Sequence, residues 1–163
     1  MTCKIAPMEH QKWMEKALNW ANKAARKGEV PVGAVLVKDG RVIAAGHNLT
    51  RARKDPTAHA EMVVIQEAVK KIKNERFLET AFYVTLEPCP MCAGAIVQAR
   101  IPTVIFGAKD PKAGACGSVF KILPNRKLNH RPAVVSGVLK YESAKLLKGF
   151  FRRRRKGKIK TWG

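Results

Sequence analysis

His59-Ala60-Glu61 and Pro88-Cys89-Pro90-Met91-Cys92 are the two stretches of this chain whose residue types and spacing can do chemistry. An imidazole and two cysteine sulfurs are zinc ligands, and three protein ligands leave the fourth tetrahedral position open. Zinc lowers the pKa of a water held there to about 7, so hydroxide becomes available near neutral pH. Attack on an amidine carbon then needs a group that takes the water proton, delivers it to a ring nitrogen and later protonates the departing ammonia. Glu61 is the carboxylate placed to do this, with His59, Cys89 and Cys92 as metal ligands.

Spacing supports this reading and leaves others open. Cys89 and Cys92, three apart, share a face of a regular helix, whereas His59 and Glu61, two apart, point in different directions and converge on one site only near a helix end. A helix N-terminus stabilises negative charge, which favours the thiolates that bind zinc. A Cys-x-x-C pair can also be a redox motif, although the thioredoxin-like context provides no His-x-Glu one strand earlier. A structural zinc site needs a fourth ligand, which Cys116, Cys3, His47 or His130 could supply. Taken alone, a glutamate such as Glu61 is more often a solvated helix residue or an N-terminal dipole partner.

The elements that must position these residues follow from periodicity. Met14, Leu18, Ala21 and Ala25 mark one face of a helix over 8–27 that ends near Gly28. Residues 30–37 are β-branched and apolar; Asp39-Gly40 follows as a two-residue turn, and 41–45 complete a hairpin. The polar segment 47–57 reads as a loop, and Asp55-Pro56-Thr57 signals the start of a second helix with a stripe of Met62, Ile65, Val69 and Ile72. Residues 81–86 and 103–106 are strands joined through a helix over 90–98, an order that favours a parallel crossover. A loop with glycines at 107, 114 and 117, a strand over 133–136 and a last helix over 139–155 complete the chain. The expected fold is a three-layer α/β/α sandwich with a five-stranded mixed sheet that starts with an antiparallel hairpin. Ligands then bind beyond the carboxyl ends of the strands.

Composition bounds the rest. At 163 residues and 46% hydrophobic content, one domain spanning 1–163 is expected, with a basic C-terminal helix and tail over about 139–163. No apolar run is long enough for a membrane span, the N-terminus lacks a signal-peptide core, and the cysteine usage suits reduced thiols, so a soluble cytoplasmic protein is expected. The formal charge of +20 points to a polyanionic partner. Removing the seven basic side chains of 152–160 still leaves +13, so the basic character is more than a tail.

With Asp55-Pro56-Thr57-Ala58-His59-Ala60-Glu61 and Thr85-Leu86-Glu87-Pro88-Cys89-Pro90-Met91-Cys92-Ala93-Gly94-Ala95, the chain resembles the cytidine deaminase superfamily. More closely, from Gly28-Glu29-Val30-Pro31 through Phe106-Gly107-Ala108-Lys109-Asp110 and Leu128-Asn129-His130-Arg131 to Phe150-Phe151-Arg152-Arg153, it resembles the bacterial tRNA-specific adenosine deaminase family. That resemblance implies zinc-dependent hydrolysis of the wobble adenosine of tRNA to inosine, on the anticodon stem-loop, by a homodimer with one zinc per subunit. It implies substrate contacts at Asn48, Ala60, Asp110, Phe151 and Arg152. An amide such as that of Asn48 can make paired contacts to adenine; Asn48 read alone is a turn residue after the hairpin. The stretch Lys109–Gly117 matches a loop bordering the anticodon nucleotides, and the last helix one that cradles RNA, where an aromatic stacks and arginines meet phosphates. One of Phe150 and Phe151 is expected in the core, and His130 is expected to be structural.

Two other functions fit parts of the pattern. A deaminase of a free base or nucleoside, such as guanine deaminase, shares the His-Ala-Glu and Glu-Pro-Cys-Pro-Met-Cys stretches but does not need a charge of +20. A zinc-stapled RNA-binding module without catalysis would make Glu61 dispensable. Extruding a base costs a few kcal/mol of unstacking, less where the nucleotide is already unpaired, so an anticodon loop is a physically sensible target.

Overall fold

The computed structural model describes residues 6–160. In chain order the elements are α1 (Pro7–Arg26), β1 (Gly33–Lys38), β2 (Arg41–His47), α2 (Thr50–Arg53), α3 (Ala60–Ile72), β3 (Thr80–Leu86), α4 (Pro90–Gln98), β4 (Thr103–Ala108), β5 (Ala133–Ser136) and α5 (Lys140–Arg155). The strands form one five-stranded sheet ordered β2-β1-β3-β4-β5. The β1–β2 hairpin is antiparallel, β3 is antiparallel to β1, and β4 and β5 run parallel to β3. Asp39 and Gly40 both have positive φ, 50° and 67°. That is the turn whose twist matches the flanking strands, which is why Asp-Gly closes the hairpin.

Helices cover both faces, and β3 shows it residue by residue. Phe82 and Val84 pack with Val64, Ala68 and Ile96 of α3 and α4, while Ala81 and Tyr83 pack with Trp13, Met14 and Ala17 of α1. The period of two along a strand, with both faces buried, sets this division. The three-layer sandwich expected from the sequence is the fold observed.

Several local expectations needed correction. On α1 the buried face is Trp13, Met14, Ala17, Ala21 and Ala24, with Leu18 and Ala25 only partly covered. The alanines let the helix backbone lie directly on β1: a Cβ added to Gly33 would sit 2.0 Å from the Ala17 carbonyl oxygen. On α3 the face against the core is Ala60, Glu61, Val63, Val64 and Ala68, and Val69 of the expected stripe is 43% exposed. Glu61 faces inward on this helix, and a carboxylate does not register as an apolar position. Asp55 Oδ1 accepts from the Thr57 backbone N–H (2.8 Å) and hydroxyl (2.6 Å), so it makes a local turn, and His59 is the residue that caps α3. The loop 47–57 contains the short helix α2, and Gly107 belongs to β4.

Candidate active site

The site forms where two helices begin. His59 is the N-cap of α3 and Cys89 that of α4, with Cys92 in the first turn of α4. His59 Nδ1 lies 3.5 Å from Cys89 Sγ and 3.6 Å from Cys92 Sγ. The three ligand atoms lie within 4.8 Å of one another. Tetrahedral zinc with bonds of roughly 2.0–2.1 Å to nitrogen and 2.3 Å to sulfur sets neighbouring ligand atoms about 3.5–3.8 Å apart. The donor set and its spacing therefore fit zinc.

No fourth protein ligand joins this cluster among the described residues. His47 Nδ1 donates to the Asn48 carbonyl oxygen at 2.7 Å, and its ring lies 5.9 Å from that of Trp20. His130 Nε2 donates to the Ile101 carbonyl oxygen at 2.8 Å. The Cys116 thiol, half-buried, is pushed up to about 12 by burial and by the nearby negative charges of Glu87 and Glu61. Cys3 lies outside the described residues.

Glu61 enters the core in the first turn of α3 and is 4% exposed. Burial pushes its carboxyl up to about 7, against the charge of His59 and a hydrogen bond from its own backbone. Cys89 is pulled down to about 4, chiefly because the Cys92 thiol donates to it, and Cys92 is correspondingly pushed up. His59 is raised by its hydrogen bond to Cys89. A carboxyl that gains and loses a proton near neutral pH is suited to general acid–base work.

His59, Glu61 and Cys89 line a cavity of about 350 Å³ that also includes Asn48, Ala60, Glu87 and Asp110, with Cys92 buried behind it. That size falls in the range of small-molecule sites. Ala60 opens α3, where the first N–H groups of a helix have no helical carbonyl partner, and it lines the cavity. Asp110 Oδ1 accepts from the Lys112 and Ala113 backbone N–H groups, a turn that shapes the loop. Phe151 is 37% exposed and stands edge-on to the buried Phe150. Arg152 lines a separate groove between α1 and α5. Neither Phe151 nor Arg152 reaches the wall of the catalytic cavity within this chain.

Two buried carboxylates were not singled out from the sequence. Glu87, 2% exposed, accepts from the backbone N–H of Asp110 (2.9 Å), Cys116 (3.0 Å) and Ser118 (3.2 Å) and from the Ser118 hydroxyl (2.5 Å). Burial alone would raise its carboxyl, but these donors outweigh it and hold the group below the usual range. Glu87 thus fastens the loop carrying Asp110 to the strand that delivers Cys89. Glu29, also 2% exposed, accepts from Asn48 Nδ2 (3.2 Å) and from the backbone N–H of Arg51 (3.3 Å) and Ala52 (2.7 Å). The sequence signal for both is an acid beside an apolar strand, Glu29-Val30 and Leu86-Glu87, where a solvated carboxylate is out of place.

The MafB19-like deaminase model matches residues 8–155. The tRNA-specific adenosine deaminase of Bacillus subtilis (strain 168) is 50% identical over 146 residues, covering 90% of this chain and 91% of that protein. The protein of the same name from Haemophilus influenzae (strain ATCC 51907 / DSM 11121 / KW20 / Rd) is 50% identical over 149 residues, covering 91% and 86%. A solved structure from work on A-to-I editing by tRNA:A34 deaminases at the wobble position of transfer RNA superposes with a TM-score of 0.80 at 48% identity, over 83% of this chain and 99% of the other. A guanine deaminase from Nitrosomonas europaea superposes with a TM-score of 0.75 at 20% identity, over 86% and 83%, a likeness of fold alone. Half-identity to two tRNA-specific adenosine deaminases, over 90% and 91% of the chain, places it in the tRNA-specific adenosine deaminase family.

Proposed function

We propose that this protein hydrolyses the wobble adenosine of a tRNA anticodon to inosine, with zinc held by His59, Cys89 and Cys92 and with Glu61 carrying the protons. The observation that carries the reading is the Glu61 carboxylate, buried in the same cavity wall as His59 and Cys89. When bound there, zinc supplies a Lewis acid that brings the ionisation of water to about pH 7. Water adds to C6 of the base while Glu61 takes its proton and delivers it to N1. A second proton, from the new C6 hydroxyl, passes through the same carboxylate to the exocyclic amine, the C6–N6 bond breaks, ammonia leaves and the C6 carbonyl of inosine forms. The Ala60 N–H faces the oxygen that develops on C6, and Asn48 and Asp110 hold the nucleotide.

The partner is an anticodon stem-loop. The net charge of +20 supports this, as do basic side chains along a second cavity of about 830 Å³ that includes Arg26, Lys27, Arg153 and Lys158. Phe151 stacks on or beside the RNA and Arg152 meets its backbone. We read 1–163 as one deaminase domain acting as a cytoplasmic homodimer. Val119 and Phe120, each 46% exposed on the loop beyond Asp110, are suited to a subunit contact. Among the described residues no helix is long and apolar enough to cross a membrane.

Incubating the purified protein with a tRNA pool and mapping adenosine-to-inosine changes tests this function. Inosine confined to the first anticodon position is the expected result. Ammonia release from free guanine without any change in tRNA would replace the reading with that of a base deaminase.

A further inference from the structure

The Asn48 amide is held in one orientation by its neighbours. A carboxylate accepts hydrogen bonds and cannot donate them, so the atom of Asn48 that faces Glu29 Oε2 at 3.2 Å is Nδ2. The second hydrogen on that nitrogen goes to Thr50 Oγ1, also at 3.2 Å. With both hydrogens engaged, Oδ1 is the atom left to meet a ligand. Asn48 forms part of the catalytic cavity wall. Among the described residues only Ser143 Oγ is sealed from solvent without a hydrogen-bond partner, so Asn48 Oδ1, on a residue that lines the cavity and with no partner of its own among the contacts above, is not sealed from solvent. The wall therefore presents an acceptor at this point, and an acceptor calls for a donor on the substrate.

An adenosine inside an RNA chain has O–H or N–H donors in two places, the exocyclic amine and the ribose 2′-hydroxyl. The amine is the group that must meet Glu61 and depart. We propose that Glu29 is a positioning residue that holds Asn48 as the acceptor for the 2′-hydroxyl of the target nucleotide, so that this pair makes the cavity select RNA over DNA. The 2′-hydroxyl is the group by which a protein tells the two apart at a given site. The inference rests on the deaminase reading above and adds a role for a carboxylate that touches neither metal nor base. Glu29 reaches the substrate only through Asn48, and it also anchors the first turn of α2 through the Arg51 and Ala52 N–H groups.

The test compares two anticodon stem-loops that are identical except for a 2′-deoxy target adenosine, by single-turnover kcat/KM. Wild-type protein is expected to favour the ribose form by about 3- to 10-fold, the range for one hydrogen bond. In Glu29→Gln the new amide can donate to Asn48 Oδ1 and release the lock, so the ratio should fall to near 1. Asn48→Ala should bring the ratio near 1 while leaving the α2 anchor in place. Pairing Glu29→Gln with Asn48→Asp should restore the preference, because the introduced amide then donates to one oxygen of the introduced carboxylate and the other oxygen faces the cavity. A role confined to fixing α2 would lower the melting temperature and slow both substrates equally in Glu29→Gln, and that result overturns the proposal. A wild-type ratio near 1, or Asn48→Ala with an unchanged ratio, also overturns it. No inosine from either oligonucleotide with zinc-loaded wild-type protein would instead refute the deaminase reading itself.

Discussion

Replacing Gly114 with alanine should loosen the loop that borders the catalytic cavity, by an amount that can be worked from its surroundings. A Cβ at this position would lie 2.3 Å from Glu87 Oε2, 2.4 Å from Glu87 Cδ and 2.6 Å from the Asp110 carbonyl oxygen. Ordinary contact needs about 3.4 Å or more, so the carboxylate or the loop must move by roughly 1 Å. The Glu87 carboxylate cannot yield freely, because it accepts four hydrogen bonds from Asp110, Cys116 and Ser118. Hydrogen bonds to a charged group contribute about 1.5–3 kcal/mol each, so losing one or two of the four costs about 3 kcal/mol. For a domain of this size that lowers the melting temperature by about 6–12 °C. Gly149, which lies inside α5 and has nothing within 4 Å of an added methyl, is the matched control. Its change to alanine should stabilise by up to about 1 kcal/mol. Thermal unfolding of both variants by circular dichroism reads the difference. A Gly114→Ala protein that melts within about 2 °C of wild type would refute the claim that Glu87 and Gly114 are packed as a fixed clamp.

Chelating the metal, or changing Cys89 to alanine, should abolish deamination and lower the melting temperature, because the starts of α3 and α4 lose their shared ligand; zinc analysis beside calorimetry checks both. Binding to an anticodon stem-loop should weaken steeply with salt, with a log–log slope of about −0.7 to −0.9 per phosphate contact, and a flat profile would favour a small neutral substrate. His47 provides a pH prediction. Burial lowers its pKa below 6.5, so the stability it contributes is present above 6.5 and fades as pH falls through the folded value. The stability difference between wild type and His47→Gln should accordingly be larger at pH 7.5 than at pH 5.5 in urea titrations.

What the sequence made legible follows from how narrowly each job restricts residue type. Few side chains bind zinc, so His59, Cys89 and Cys92 stood out, and Glu61 stood out by their company. The sheet was readable because strands buried on both faces, such as Ala81–Leu86, are continuous apolar runs. The face of α3 was not, because the core side is built from Ala60, Glu61, Val63, Val64 and Ala68, and three of these five carry little or no apolar side chain. Helix α2 escaped notice for a related reason. Thr50–Arg53 has no buried residue, and its first turn is fastened by Glu29, twenty-one residues away from Thr50. Long-range anchoring of this kind leaves no periodic trace. Phe150 and Phe151 could be called one core and one surface from helical geometry, but which was which depended on how α5 lies on the sheet.

The central claim is that Glu61 moves the protons at a site whose metal is held by other side chains. Glu61→Gln removes the titrating oxygen while keeping the shape of the side chain, so zinc content and melting temperature should stay close to wild type. Inosine formation on tRNA, followed under single-turnover conditions with zinc measured in the same sample, should fall by about 10²–10⁴-fold. A zinc-loaded Glu61→Gln protein that makes inosine within tenfold of the wild-type rate would contradict the account.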